Sequence, residues 1–174
     1  MKRIFFIRHA KSSWNHPGLS DHDRPLNKRG KADAPFMGKL LAENDLIPQK
    51  LISSTAKRAF STAEKFAAAF QYPAERIIKE RELYHSGIST ILSVVQQQPD
   101  DLSSIMIFIH NPGITEVVNH CCRADIFNIP TCGVAGIEFD TNTWSAISNN
   151  GKLFLYEYPK KYYNESGEGP LLQP

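Results

Sequence analysis

The distribution of apolar residues along the chain predicts strands and helices in alternation. Residues 4–7 are all apolar, are flanked by charged residues and are too few to form a helix alone, and residues 105–109 are an equally apolar run. Such short runs are typical of strands buried on both faces, as in a parallel sheet covered by helices. Between the runs, apolar residues that recur every three or four positions predict amphipathic helices.

Seven segments have the composition of strands, and four have that of helices. The predicted strands are residues 4–7, 50–53, 76–79, 104–109, 135–139, 144–148 and 152–158. The predicted helices are residues 27–44, 55–70, 88–98 and 112–121. The predicted helix N-caps are Asn27, Ser54 or Thr55, and Asn111. Pro35 predicts a kink in the first helix or a later start. Asn149-Asn150-Gly151 predicts a hairpin between the last two strands.

This order of elements predicts an α/β fold, a three-layer sandwich with a mostly parallel central sheet and one or two antiparallel strands near its end. The length of 174 residues suits one domain, which we place at residues 1–158. Residues 159–174 are rich in Pro, Gly, Glu and Tyr, and we expect a C-terminal tail with partial disorder.

Composition argues against several classes of partner. The chain has 20 basic and 18 acidic residues, a net charge of +2, so no strong field favours nucleic acid or a membrane surface. No apolar run approaches the roughly 20 residues that cross a bilayer, and the N-terminus lacks a signal-peptide pattern. Three cysteines without a C-x-x-C pair indicate a reducing compartment, so we expect a cytoplasmic protein. The oligomeric state is left open.

Polar side chains follow three of the predicted strands directly. Arg8 and His9 follow the first strand, Arg58 lies in the first helical turn after the second, and His110 follows the strand at residues 104–109. Because ligands of open α/β sheets bind outside the carboxyl ends of the strands, these residues are expected to share one pocket. Arginine forks and helix N-termini both bind phosphate, so a multiply charged oxyanion is the expected ligand. Taken alone, however, Arg8 and His9 could simply be polar residues that leave a strand.

Histidine is the remaining nucleophile for transfer of a phosphoryl group. No nucleotide-binding glycine loop and no C-x5-R thiol motif is present, and Asp21-His22-Asp23 lies in a loop rather than at a strand end. A neutral imidazole can attack phosphorus, and nearby arginines favour the neutral form. No metal or cofactor is predicted, because the carboxylates do not converge with the histidines.

Four ordered motifs resemble those of the histidine phosphatase superfamily, also called phosphoglycerate mutase-like, and specifically its SixA-type phosphohistidine phosphatase branch. They are Arg8-His9-Ala10-Lys11-Ser12 followed by Trp14-Asn15, Asp23-Arg24-Pro25-Leu26, Ser53-Ser54 with Arg58 and Thr62-Ala63, and His110-Asn111-Pro112-Gly113. The resemblance spans residues 2–140 and implies a phosphoglycerate mutase-like fold. Two positions depart from the family pattern, Ala10 and Ile109, where many members have glycine.

The resemblance also implies residue roles. His9 would be the phosphate-accepting nucleophile, and the phosphoryl oxygens would be held by Arg8, Arg58 and His110. Arg24 matches an additional phosphate-contacting arginine, and Asn15 a polar contact. Superfamily members often take a proton donor from an acid after the third strand, which favours Glu82, with Glu80 in reserve; both could equally be solvated surface carboxylates.

The leaving group and the size of the chain bear on the substrate. An imidazole, with an ordinary pKa of about 6.5, departs more easily than an alkoxide, so a weak proton donor favours phosphoramidates. Only 51 residues separate Arg58 from His110, which leaves no room for the lid helices of larger members. We expect an open site that suits phosphohistidine on a protein. A broad small-molecule phosphomonoesterase and a non-catalytic phosphoprotein-binding module remain alternatives, whereas a mutase is disfavoured because it needs a lid.

The remaining candidates are expected to be structural or exposed. His16, His22 and His85 could join the pocket, but loop histidines more often lie at the surface. Trp14 is expected to pin its loop, and Cys121, Cys122 and Cys132 are expected to be buried and inert.

Overall fold

A computed structural model describes residues 1–167 and residue 169, and in this part of the chain a single sheet of six strands forms the centre of the molecule. The strands are β1 (Lys2–Arg8), β2 (Lys50–Ser54), β3 (Ile78–Glu80), β4 (Ser104–Ile109), β5 (Val134–Phe139) and β6 (Lys152–Glu157). The α-helices are α1 (Lys28–Glu43), α2 (Lys57–Ala69), α3 (Ile88–Gln96) and α4 (Gly113–Cys122). No helix of these residues is long and apolar enough to cross a membrane.

The sheet is mostly parallel, as predicted. Its strand order is β3-β2-β4-β1-β5-β6, with β1 through β4 mutually parallel and β5 antiparallel to both β1 and β6. Since β1 lies beside β4 and β4 beside β2, the carboxyl ends of three strands meet at one edge of the sheet. This confirms the predicted three-layer α/β fold.

Successive side chains of β1 point to opposite faces of the sheet and contribute to two separate hydrophobic clusters. Ile4 and Phe6 pack with the cluster that includes Val117 of α4, whereas Phe5 and Ile7 pack with the apolar residues of α1 and α2. All four β1 residues are buried, which explains why the strand is a continuous apolar run rather than an alternating one.

The predicted strand at residues 144–148 and its hairpin are wrong. Residues Trp144–Ala146 form a short 3-10 turn, and β6 pairs with β5 instead. The cause is the fully buried Trp144, whose backbone N–H donates to Asp100 Oδ1 at 2.8 Å and whose indole N–H donates to the Leu102 carbonyl at 3.1 Å. These bonds take the place of the hydrogen bonds to a neighbouring strand that Trp144 would make within a sheet.

Two of the predicted helix starts are also wrong. Helix α2 has Ala56 at its N-cap and no side-chain cap. Ser54 is instead the last residue of β2, and its hydroxyl contacts His110. Pro112 rather than Asn111 is the N-cap of α4, and Thr115 Oγ1 donates to Asn111 Oδ1 at 2.7 Å. The Asn27 cap of α1 is confirmed, since its side chain accepts from the backbone N–H of Gly30.

Two further elements differ in their limits. Helix α1 runs without interruption through Pro35, so the later start is wrong. Strand β3 covers only Ile78–Glu80, shifted from the predicted 76–79.

The beginning of the predicted tail packs on α1. Tyr163 donates its hydroxyl to the buried carboxylate of Asp33 at 2.7 Å, and the ring of Tyr162 packs on Phe36 with centroids 5.3 Å apart. The division into a domain of residues 1–158 and a tail stays a prediction, and the expected disorder falls partly on residues 168 and 170–174, which lie outside the described residues.

Candidate active site

Two histidines meet where β1 and β4 end. The parallel register aligns Arg8 with Ile109, and the backbone N–H of His9 donates to the Ile109 carbonyl at 3.1 Å, so His9 and His110 follow at the same level. Their ring centroids are 5.2 Å apart, and the residues are only 8% and 5% exposed. The structure therefore brings the two predicted imidazoles into one site.

The contacts of His9 determine which ring nitrogen carries the proton. Nδ1 lies 2.7 Å from the Ala10 carbonyl oxygen, which can only accept, so Nδ1 is the donor. Nε2 accepts from Arg58 Nε at 3.4 Å. Burial, then the charges of Arg58, Arg8 and Arg24, lower the His9 pKa to about 3, against the opposing effect of the Ala10 bond. Near neutral pH His9 thus presents an unprotonated Nε2 to the pocket.

His110 is oriented by Ser54 at the end of β2. The Ser54 hydroxyl oxygen accepts from the backbone N–H of Ala56 and lies 2.8 Å from His110 Nε2. The hydroxyl hydrogen can donate to Nε2, and in that arrangement the proton of His110 lies on Nδ1. Burial, followed by the charges of His9 and Arg58, lowers the His110 pKa to about 2.

Buried donors at this site lack protein acceptors. Within the described residues, neither Arg8 Nε nor His110 Nδ1 has a hydrogen-bond partner, although both atoms are buried. Arg8 also donates from Nη1 to the Ile129 carbonyl at 2.7 Å, and burial lowers its pKa. Because a buried donor without an acceptor is costly, the pair fits a bound oxyanion.

Arg58 is held in the first turn of α2. Thr62 Oγ1 donates to the Arg58 carbonyl at 2.7 Å and accepts from the backbone N–H of Ala10 at 2.9 Å, which ties this turn to the segment after β1. The guanidinium donates from Nη1 to the Asp21 carbonyl at 2.6 Å and from Nη2 to Asp21 Oδ2 at 3.1 Å. Arg58 is only 4% exposed and lies between His9 and Asp21.

Arg24 is held in place by several protein contacts. It pairs with Asp21 Oδ1 from both Nε and Nη2 at 3.1 Å, and Nη1 donates to Ser12 Oγ at 2.7 Å and to the Ser13 carbonyl at 3.2 Å. The Trp14 ring stacks on the guanidinium, 3.7 Å from its centre. Arg24 thus braces the loop beside the pocket, and its direct contact with phosphate stays a prediction.

Asp21 is a site residue that the sequence reasoning missed. Its carboxylate accepts from Arg58, Arg24 and the hydroxyl of Tyr84, the last at 2.6 Å. The Tyr84 bond is the largest effect on Asp21, and together with Arg58 and Arg24 it holds the Asp21 pKa well below its usual range, against the opposing effect of burial. The loop between β1 and α1 lies over the strand ends, and this position of the loop brings Asp21 into the site. The only sequence signal was its spacing of three residues from Arg24.

Two predicted site residues do not join this group. Glu82 is exposed on the short 3-10 turn Arg81–Leu83 and lines a surface depression with three residues of α3. Among the described residues, no hydrogen bond or ion pair connects Glu82 or Glu80 with His9 or His110. Asn15 is exposed, and its described bond is from its backbone N–H to Ser13 Oγ at 3.1 Å. The roles assigned to Glu82 and Asn15 therefore stay predictions.

Aromatic side chains surround the mouth of the pocket. The Tyr84 ring lies 5.6 Å from that of His110 and 5.0 Å from that of His22. His22 is 2.9 Å from Thr55 Oγ1, and the His85 ring lies 6.4 Å from that of His110. His22 and His85 were expected merely at the surface, but both border the site.

The buried histidines should make the fold sensitive to mild acid. Because their folded-state pKa values lie below the ordinary value of about 6.5, the unfolded chain binds protons that the native state does not. As pH falls from 6.5 towards 3, each histidine should lower the free energy of unfolding by about 1.4 kcal/mol per pH unit, with no effect above pH 7. Asp21 acts in the same direction but at lower pH, because its contribution to stability is lost only below its ordinary pKa of 3.8.

Urea unfolding at pH 7, 6 and 5 measures this slope. The variant His9→Asn with His110→Asn should show a shallower decline than the wild-type protein, whereas an exposed His16→Asn variant should retain the wild-type slope. Equal slopes for all three proteins would contradict the assignment of two neutral buried imidazoles.

Comparisons with known proteins place this geometry in a family. The model of the histidine phosphatase superfamily (branch 1) matches residues 4–106. An uncharacterized chloroplastic protein of Arabidopsis thaliana is 31% identical over 163 residues, which cover 86% of this chain and 73% of that one. A crystal structure of a candidate phosphohistidine phosphatase SixA from Agrobacterium tumefaciens superposes with a TM-score of 0.79 at 29% identity, covering 91% of this chain and 98% of that one.

A second solved structure, of the protein histidine phosphatase SixA complexed with tungstate, has the same fold. Its TM-score is 0.77 at 19% identity, covering 90% of this chain and 96% of that one. The family model covers more than half of this chain and includes the segment of His9, Asp21 and Arg58. The protein therefore belongs to branch 1 of the histidine phosphatase superfamily and is a phosphatase with a SixA-like fold.

Proposed function

We propose that the protein hydrolyses phosphohistidine on a phosphorylated protein through a covalent phosphohistidine intermediate on His9. The observation that carries this proposal is the state of His9, which is buried, neutral and protonated on Nδ1, with its Nε2 lone pair directed at Arg58 in a pocket of cations. A nucleophile of this kind needs no general base, because its Nε2 carries no proton that must first be removed.

In the first step His9 Nε2 attacks phosphorus and the N–P bond of the substrate breaks. The new bond converts Nε2 from an acceptor into a substituted nitrogen, so the N–H of Arg58 can turn from Nε2 to a phosphoryl oxygen. The otherwise unpaired Arg8 Nε and His110 Nδ1 supply two more donors. Fixed donors in a buried site stabilise the charge that spreads over the phosphoryl oxygens in the transition state.

In the second step water attacks the phosphorylated His9. The Ala10 carbonyl keeps the proton on Nδ1, so the phosphorylated ring carries a positive charge and leaves as a neutral imidazole when the N–P bond breaks. Inorganic phosphate is the product, and His9 returns to its starting tautomer.

The small size of the segment between Arg58 and His110 supports a protein substrate. After α2, this segment contains only the three-residue β3, short 3-10 turns and the nine-residue α3 before β4. The described chain thus has no inserted helical lid over the strand ends, and a phosphorylated side chain on another protein can approach them. The solved relative described as a candidate phosphohistidine phosphatase supports the same substrate class.

A direct comparison of substrates tests the proposal. We expect kcat/KM for a phosphohistidine-carrying protein to exceed that for small sugar phosphates by on the order of a hundredfold, about 2.7 kcal/mol in transition-state stabilisation. The physical reason is that imidazole is a better leaving group than an alkoxide. Phosphohistidine loss in the presence of the His9→Ala variant gives the uncatalysed background. A preference for sugar phosphates would instead establish a small-molecule phosphomonoesterase.

A further inference from the structure

His85 lies at the mouth of the pocket and has no role in the two steps described above. Its Nε2 is 3.6 Å from Asp21 Oδ2, and its ring centroid is 4.0 Å from that of Tyr84 and 6.4 Å from that of His110. The side chain is 63% exposed, so it can meet both an incoming substrate and solvent. An exposed imidazole this close to a reacting phosphoryl group is well placed to exchange protons.

The backbone holds His85 in this position. His85 has a φ of 54°, in the left-handed region that few residues other than glycine adopt. The neighbouring Ser86 is packed tightly on the start of α4, since a Cβ at Gly113 would overlap the Ser86 carbonyl oxygen. Left-handed backbone at a non-glycine residue costs free energy and is often found at functional sites. The segment that carries His85 is therefore seated against the helix that follows His110.

We propose that His85 is the proton donor of this phosphatase, and that Asp21 positions it. The proposal rests on the phosphatase chemistry of His9 proposed above. In the first step the protonated His85 gives its proton to the leaving group as the bond from phosphorus to that group breaks. In the second step the neutral His85 takes a proton from the attacking water. This proton replaces the one given to the leaving group and regenerates the imidazolium.

Four other titratable groups near His85 are unsuited to this role. His9 and His110 stay neutral, and the Asp21 carboxyl stays ionised, for the electrostatic reasons given above. The hydroxyl of Tyr84 is committed to Asp21, and burial raises the Tyr84 pKa. Asp21 is the carboxylate that lies against His85, with Oδ2 3.6 Å from Nε2, and it can hold the ring in position at the mouth.

The sensitivity of the reaction to the leaving group tests this role. Phenyl phosphates with ring substituents that vary the leaving-group pKa are used as probes, since they need no protein partner. We expect His85→Asn to lower kcat/KM for the poorest leaving groups on the order of a hundredfold or more, and for p-nitrophenyl phosphate less than about tenfold. Asparagine is chosen because it tolerates the left-handed backbone better than most residues. The alkaline limb of the wild-type pH profile should disappear, and added imidazole should restore activity in part.

The exposed His16→Asn variant is the matched control and should behave as wild type in every assay. An equal loss for all leaving groups, with an unchanged pH profile, would mean that His85 is only structural and would overturn the proposal. Unchanged activity of His85→Asn towards the poorest leaving groups would overturn it as well. The phenyl phosphate series remains informative even when the phosphohistidine protein is not hydrolysed, so failure of the substrate assignment and failure of His85 are distinguishable.

Discussion

The His9→Ala variant is expected to lose at least about three orders of magnitude in kcat, because the covalent step has no other nucleophile in the pocket. His110 lies beside His9, but its Nε2 is engaged with the Ser54 hydroxyl at 2.8 Å, so we expect it not to substitute for His9. Steady-state turnover measures the loss. Rapid quench of the wild-type protein with a ³²P-labelled phospho-donor should in addition trap an acid-labile phosphate that maps to His9.

A measurement of anion binding shows whether a variant has lost catalysis alone or has also lost the phosphate-binding site. The His9→Ala variant should still bind inorganic phosphate, since Arg8, Arg58 and His110 remain, while a His120→Ala variant in α4 should retain full turnover. Undiminished turnover by His9→Ala, or labelled phosphate on a residue other than His9, would refute the covalent mechanism.

The Arg58→Lys variant is expected to lose on the order of 10²- to 10³-fold in kcat/KM although its charge is conserved. The guanidinium donates in three directions at once, to His9 Nε2, to the Asp21 carbonyl and to the Asp21 carboxylate. A lysine ammonium is a single point of charge and cannot reproduce this planar fork. Lysine would also give Asp21 fewer hydrogen-bond donors, so the loop over the strand ends should become less ordered.

The kinetic constants and the inhibition constant of inorganic phosphate measure this effect. The matched control is Arg76→Lys, because Arg76 lies outside the pocket with its guanidinium over the ring of Tyr72. That variant should match the wild-type protein in both constants. An Arg58→Lys variant with wild-type kcat/KM would show that charge alone suffices and that the geometry of Arg58 is unimportant.

Local sequence patterns were sufficient to predict the central strands and the main cationic and histidine side chains of the site. The apolar runs of β1 and β4 are buried on both faces. Such runs can be recognised in the sequence because all of their residues are apolar. Arg8, His9 and His110 stand immediately after these runs, and parallel pairing then brings them together. Errors arose where a residue is held by distant partners. Trp144, which is β-prone by type, is bound to a loop more than 40 residues away and forms a turn instead.

The sequence alone thus determined the α/β class, the identity of the two histidines and the convergence of strand ends, because strand pairing places short-range motifs at predictable positions. Only the tertiary structure decided which ring nitrogen of His9 carries the proton, the protein contacts of Arg24, and the entry of Asp21 and His85 into the site. Those features depend on how loops fold over the sheet, where spacing along the chain carries little information about distance in space. The exposure of Glu82 has the same cause, since it lies on the short turn that follows β3.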